Sequence, residues 1–393
     1  MASLVFVAGD PSGDAHAARL IEALKARQPS LTFSGLGGAA MQQVGVSLLD
    51  DLTQTAAIGP FDAAKHLKRL ARAKRLLEAH LKSHRPDLVI LVDFGDFNLP
   101  VVAPLVKRHQ VPILYYISPQ IWAWGRFRLR WVRRYVDRMV VFFKFEEEFY
   151  RRAGVPVTWV GHPLVDTAKA SVCREEAQRE LGLNPWRMTV GLLPGSRAQE
   201  ITRHLPLLLS AAKRIAWHMP GVQFLLSKAP SVPSRLFDRL KARRDLEAII
   251  SENRMYDCLQ CMDAAVVSSG TATIEAALFE VPMVVIYRTS WPTFLAARTV
   301  VRIPHIAMVN VIGGRPIVPE LIQQQARPQW IARELVGLLR STERKAAMQQ
   351  QLRELKEKLG PPGAVERAAQ IVLETLRENR QSTVHGHHSP QPK

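Results

Sequence analysis

Short apolar runs, each closing on a turn of glycine, serine or aspartate and followed by a stretch at helical spacing, recur along this chain. Leu4-Val5-Phe6-Val7-Ala8 leads through Gly9-Asp10-Pro11-Ser12-Gly13-Asp14 into a helix reaching about Arg27, and Leu31 to Leu36 closes on Gly37-Gly38. Asp87 to Val92, Val111 to Tyr116, Met188 to Leu193, Ala264 to Val267 and Met283 to Tyr287 repeat the unit. A strand without a polar face is buried on both sides, which a parallel sheet covered by helices achieves. The alternation therefore predicts an α/β fold. With 393 residues the chain exceeds what one core usually fills, so two such domains are expected.

Composition narrows the partners. The formal charge of +18 calls for something anionic: nucleic acid, phospholipid head groups or a phosphorylated substrate. No uncharged apolar run reaches the roughly 18 residues of a membrane span, and Met1-Ala2-Ser3 enters a strand with no signal peptide, so the cytoplasm is the expected compartment. Three cysteines, an odd count, argue against a disulfide framework. Cys258 and Cys261 lack the second pair a zinc site needs and are expected as buried thiols. No metal and no other cofactor is expected.

Two turns carry the chemistry. Ser268-Ser269-Gly270-Thr271-Ala272-Thr273-Ile274-Glu275 and Leu193-Pro194-Gly195-Ser196-Arg197 each join an apolar strand to a helix through small residues. Free N–H groups and the positive end of a helix dipole there suit phosphate, and Arg197 can fork onto its oxygens. Glu275, about one turn into its helix, can grip a ribose diol. A capped helix that binds nothing remains the alternative for either turn alone. Neither turn is a G-x-x-x-x-G-K-[ST] loop and no G-x-G-x-x-G follows the first strand, which weighs against ATPase and dinucleotide readings.

Asp93-Phe94-Gly95-Asp96-Phe97-Asn98 follows a buried strand, at the end of a parallel sheet where ligands bind. Asp96, expected in an apolar setting that raises its pKa, is the candidate general base, whereas Asp93 is expected to hold Asn98 or backbone groups. Either carboxylate can instead cap the helix that begins near Leu99. Two stretches are candidates for an anionic lipid surface. One is the helix from Ile58 to about His84, with Lys65, His66, Lys68, Arg69, Arg72, Lys74 and Arg75 on one side. The other is Trp122 to Arg134, which interleaves Trp122, Trp124 and Trp131 with arginines. The second also suits single-stranded nucleic acid, and buried tryptophans beside solvated arginines are the plainer reading of any one residue.

Ala8-Gly9-Asp10-Pro11-Ser12-Gly13-Asp14, Asp93-x-x-Asp96-Phe97-Asn98, Ser118-Pro119-x-x-Trp122-Ala123-Trp124 and Gly161-His162-Pro163-Leu164 occur in this order. Leu193-Pro194-Gly195-Ser196-Arg197, Ser269-Gly270-Thr271-Ala272-Thr273, Asn310 and Pro319-Glu320-Leu321-Ile322-Gln323 follow them. Together they resemble the lipid-A-disaccharide synthase family over nearly the whole chain to about residue 375. The resemblance implies a GT-B glycosyltransferase, with two Rossmann-like parallel-sheet domains facing across a cleft and a C-terminal helix packing back on the first. It implies transfer of 2,3-diacylglucosamine from its UDP derivative to the 6-hydroxyl of 2,3-diacylglucosamine 1-phosphate, by a homodimer peripheral on the inner face of the inner membrane. Asp96 then takes the place of base and Arg197 that of the cation on the departing diphosphate. Gly9, Ser12, Gly13, Asn98, Ser118 and Trp124 fall to substrate in the first domain. Gly195, Ser196, Ser269, Gly270, Thr271 and Glu275 fall to the diphosphate and ribose, and Asn310, Glu320 and Gln323 to the donor sugar and nucleotide.

The chain departs from the family pattern at Asp10, where glutamate is usual, at Ile58 to Asp62, at Gln120 and at Lys144-Phe145-Glu146, which is expected to alter acyl-chain preference before the reaction. The expected division is residues 1–166, 167–345, returning helices over 346–380, and a disordered tail over 381–393. Another GT-B UDP-sugar enzyme, such as a 2-epimerase or an undecaprenyl-linked sugar transferase, is the nearest rival. A basic nucleic-acid-binding protein is the rival of another class; no nucleic-acid module is visible, and no nucleic acid is expected as partner.

Overall fold

The computed structural model describes residues 2–53, 63–229, 232–237, 246, 248–301 and 303–385. The chain divides into two compact units, Met1–Pro163 with Pro361–Lys393, and Leu164–Gly360. The first unit holds a seven-stranded sheet in the order β3-β2-β1-β4-β5-β6-β7. Its strands are β1 (Ser3–Ala8), β2 (Thr32–Gly37), β3 (Ser47–Asp51), β4 (Leu88–Val92), β5 (Ile113–Tyr116), β6 (Arg138–Val141) and β7 (Val157–Trp159). The second holds six, in the order β10-β9-β8-β11-β12-β13: β8 (Thr189–Leu193), β9 (Gln223–Lys228), β10 (Ala248–Glu252), β11 (Ala264–Ser268), β12 (Met283–Tyr287) and β13 (Glu320–Ile322). All the pairings are parallel, as continuous apolar strands require.

Alternate residues of one strand feed opposite faces. Leu4, Phe6 and Ala8 of β1 pack with Ala17, Leu20, Ile21 and Leu24 of the Pro11–Arg27 helix, while Val5 and Val7 pack with Leu77 and Leu81 of the Ala63–His84 helix. Each such valine, leucine, isoleucine or phenylalanine, wholly withdrawn from water, contributes about 1.5–3 kcal/mol. The Pro11–Arg27 helix starts where Asp10 accepts from the Gly13 N–H at 2.6 Å and proline stands in the first turn.

The last helix, Ala364–His385, belongs to the first unit: Ala368, Ala369 and Val372 are sealed in the same cluster as Leu20 and Leu24. Arg367 donates to the Val160 carbonyl at 2.6 Å. This is the expected return, but it begins at Pro361. The Thr342–Lys358 helix stays with the second unit, because Met348, Leu352 and Leu355 pack on Ala276, Ala277 and Met283 there. Residues 381–385, expected to be disordered, continue the last helix; 386–393, with His387 and His388, lie outside the described residues. So do Ile58 to Asp62 and the side chains of Lys65 and His66.

Strand order reverses in each sheet between its first strand and the strand beside it. In the first unit Ala8 lies in register with Val92, so the turns after β1 and β4 emerge side by side. In the second, Leu193 is in register with Val267, which brings together the turns after β8 and β11. Ligands bind at such reversals, beyond the carboxyl ends of the strands.

Candidate active site

Between the turns of the second unit opens a cavity of about 350 Å3, lined by Gly195, Ser196, Arg197, Ser269, Gly270, Thr271 and Glu275. Two motifs far apart in sequence thus share one pocket. Gly195 has φ of 114°, in the left-handed region, and a Cβ there would come within 2.4 Å of the Glu200 carboxylate. Glycine lets Glu200 fold back, and its Oε2 accepts from the N–H groups of Ser196 (3.1 Å) and Arg197 (3.3 Å). These are the groups a phosphate was expected to meet, so the free donors foreseen at both turns exist at only one. At the other, the N–H groups of Gly270 and Thr271 take no acceptor among the described residues. The Arg197 guanidinium, 83% exposed, lies 3.4 Å from Glu200, a weak surface pair it can leave for a phosphate.

His204 fixes both turns. Its Nδ1 lies 3.0 Å from the Pro194 carbonyl and 3.1 Å from Ser268 Oγ, and its Nε2 accepts from the Arg288 N–H at 3.0 Å. The Arg288 carbonyl also lies 3.1 Å from Nε2, and burial holds the ring's pKa below the usual histidine value, which favours the neutral form. Glu275 accepts from the Tyr256 hydroxyl at 3.1 Å, and burial raises its pKa.

Asn310, Glu320 and Gln323 are not in this pocket. Asn310 is sealed, donating to the Val318 carbonyl and Glu320 while accepting from the N–H groups of Ile317 and Val318. Glu320 accepts from the N–H groups of Ile306 and Ala307, and Gln323 exchanges two hydrogen bonds with the Thr289 backbone. Their polar atoms brace loops, which is why they read as a motif without lining the cavity. Lys228, which no motif flags, does line it.

In the first unit the two aspartates have the environments reversed from expectation. Asp96 is 68% exposed and pairs with the Arg128 guanidinium at 2.5 Å, which itself stacks on the Trp124 ring at 4.2 Å. Asp93 is partly buried, and burial followed by the Asp10 charge pushes its pKa up to about 7. Asp93 and Phe94 both have left-handed backbones, with φ of 42° and 46°, a strain that the fold retains at this turn. A Cβ on Gly9 would lie 2.0 Å from the Phe94 ring, so Gly9 admits that ring and Asp10 then lies near Asp93. Position alone could have found Asp93, the first residue after a fully buried strand at the strand-order reversal.

Several expected substrate residues are committed to structure. Asn98 is fully buried and donates to the main-chain carbonyl of Asp93 at 2.9 Å, not to its carboxylate. Ser118 lies 2.7 Å from the Tyr150 hydroxyl, and Trp122 donates to Glu146 at 3.0 Å. Glu146 is sealed, and burial pushes its pKa up to about 8. Ser12 is exposed, and the Gly13 N–H donates to the Asp10 carboxylate at the start of its helix. Cys258 and Cys261 are buried thiols, Cys261 pushed up to about 11 by burial. Among the described residues no group of three or more His, Cys, Asp or Glu could hold a metal ion.

A family model described as lipid-A-disaccharide synthetase matches residues 4–375. The lipid-A-disaccharide synthase of Syntrophus aciditrophicus is 41% identical, covering 96% of this chain and 98% of its own. That of Nitrosococcus oceani is 42% identical, covering 95% and 96%. Among solved structures, the S. aureus MnaA co-structure with UDP aligns with TM-score 0.62 at 14% identity, covering 94% of this chain and 95% of that one. The calicheamicin glycosyltransferase CalG4 aligns with TM-score 0.61 at 14%, covering 96% and 98%. At such identities the structural likeness carries the fold alone.

Proposed function

The chain belongs to the lipid-A-disaccharide synthetase family, and from that premise we propose that it joins two acylated glucosamines at the expense of a UDP leaving group. The donor is UDP-2,3-diacylglucosamine and the acceptor 2,3-diacylglucosamine 1-phosphate. A carboxylate takes the proton of the acceptor 6-hydroxyl, the oxygen bonds to the anomeric carbon from the face opposite the diphosphate, and the carbon–oxygen bond to UDP breaks. The product is the β-1,6 disaccharide 1-phosphate, with inverted configuration. The observation that carries this reading is the cavity at the strand-order reversal of the second unit, where the Gly195–Arg197 and Ser269–Thr271 turns meet.

Arg197 and the free N–H groups of Gly270 and Thr271 hold the diphosphate as charge develops on it, and Glu275 holds the ribose. The base is Asp93, which is partly withdrawn from water with its pKa raised to about 7, whereas Asp96 stands in solvent against Arg128. Asp96 positions Arg128 and Trp124. Membership of this family displaces the epimerase and nucleic-acid readings.

The lipid substrates put the protein against the inner face of the inner membrane as a peripheral homodimer. A net charge of +18 favours anionic lipid, and no helix among the described residues is long and apolar enough to cross a bilayer. The Trp122–Arg134 segment is a poor contact, because Trp122 is buried and Trp131 packs on the core. The Trp291–Val300 helix fits better, with no residue buried and Trp291 and Leu295 both exposed. Product analysis with purified protein and defined acylated donor and acceptor tests the reaction. Disaccharide phosphate plus UDP is expected; turnover of UDP-N-acetylglucosamine alone, without disaccharide, would refute it.

A further inference from the structure

We propose that Lys228 reads the base of the donor nucleotide, its ammonium donating to the 4-carbonyl of the uracil ring. The inference rests on the UDP-sugar reading of the cavity and adds the residue that selects the base.

Lys228 is the last residue of β9 and lies in register with Glu252, the last of β10. Its side chain is 5% exposed, yet it lines the cavity together with Asn253 and Met255 from the segment after β10. A buried ammonium is costly unless its donors are satisfied. Two of them are, by Glu252 Oε1 and Ser234 Oγ, each at 2.7 Å. An ammonium has three, and the third has no acceptor among the described residues.

Direction follows from the strand order. The phosphate turns stand on β8 and β11, and β9 and β10 lie to the far side of β8. Glu275 is bonded to Tyr256, which follows β10, so the ribose end of the cavity already leans toward that side. A nucleotide with its diphosphate on the turns and its ribose on Glu275 therefore extends its base toward Lys228. The 4-position is on the ring edge remote from the sugar, so it reaches deepest. Glu252 neutralises the lysine, which then acts as a directional donor to a neutral oxygen more than as a phosphate-binding charge. Cytosine carries an amino group at that position, and two donors would face each other without an acceptor.

The test is calorimetric titration of UDP, CDP and inorganic pyrophosphate into the unaltered protein and Lys228→Met. The unaltered protein is expected to prefer UDP to CDP by about 10-fold or more, the range for a hydrogen bond to a charged group. Lys228→Met should weaken UDP about 10- to 100-fold, bring UDP and CDP together, and leave pyrophosphate unchanged. Equal losses for UDP and pyrophosphate would show a phosphate-binding or merely structural lysine and overturn the proposal, as would unchanged UDP affinity. If Lys228→Met does not fold, the unaltered protein still decides: a UDP analogue lacking the 4-oxygen must bind at least about 10-fold more weakly, and equal binding overturns the proposal. Failure of the UDP-sugar reading looks different, since then neither UDP nor pyrophosphate binds the unaltered protein.

Discussion

Asp93 and Asp96 share one turn and differ in exposure and in partner. Asp93 sits beside Asp10 with its pKa raised to about 7, while Asp96 reaches solvent against Arg128. With Asp93 as base, kcat/KM should climb with pH and level off above about 7, falling tenfold per unit below it. Asp93→Asn should cost about 10²–10⁴-fold in rate, and Asp96→Asn far less; comparing the two variants under one assay decides between them. The folded protein binds Asp93's proton more tightly than the unfolded chain does. Stability from this group is therefore present at low pH and lost as pH rises from about 4 through 7. Asp93→Asn should accordingly melt higher than the parent at pH 8, a gain in stability beside the loss in rate. The sequence shows that a carboxylate belongs on this turn. It does not show which one, because the Asp10 charge and the Gly9 position that admits the Phe94 ring both come from the turn after another strand, β1.

Elements at the sheet centre are legible because their strands are apolar throughout; β1, β4, β8, β11 and β12 stand out by that alone. The flanks leave a weaker trace. β3 (Ser47–Asp51) and β13 (Glu320–Ile322) pair on one side only, carry acids, and keep partly exposed side chains. β9 carries Gln223 and Lys228 at its ends, polar residues buried by partners that only the fold supplies. The same reason hid His204, whose ring joins Pro194, Ser268 and Arg288 across three segments. Because burial depresses its pKa, with Glu200 and Arg203 as the nearby charges, its contribution is complete above the unfolded value of about 6.5 and declines as pH falls below it. His204→Ala should lower stability by about 1–3 kcal/mol at pH 7.5. Its loss on acidification should be smaller than the parent's, read as the difference between the two melting curves, since His16 and His162 titrate identically in both.

At the scale of the whole molecule, the net charge of +18 and the exposed Trp291 and Leu295 are what the proposed lipid contact depends on. Cosedimentation with phosphatidylglycerol vesicles should weaken as salt rises, and Trp291→Ser with Leu295→Ser should reduce it about 10-fold while leaving UDP affinity intact. Undiminished binding by that double variant would move the contact elsewhere. The last helix matters to the first unit in another way: Val372→Asp puts a charge among Leu20, Leu24 and Ala368, and should cost several kcal/mol of stability, visible as a lowered melting temperature. Because that helix begins only after Gly360, the first unit cannot be completed in the order it is made. On the ribosome the contiguous stretch from Leu164 to Gly360 is free to fold as soon as it emerges, while the earlier unit waits with the apolar surface that Ala368, Ala369 and Val372 will cover still open to water. A newborn chain would thus depend on a chaperone longest for the half that was translated first.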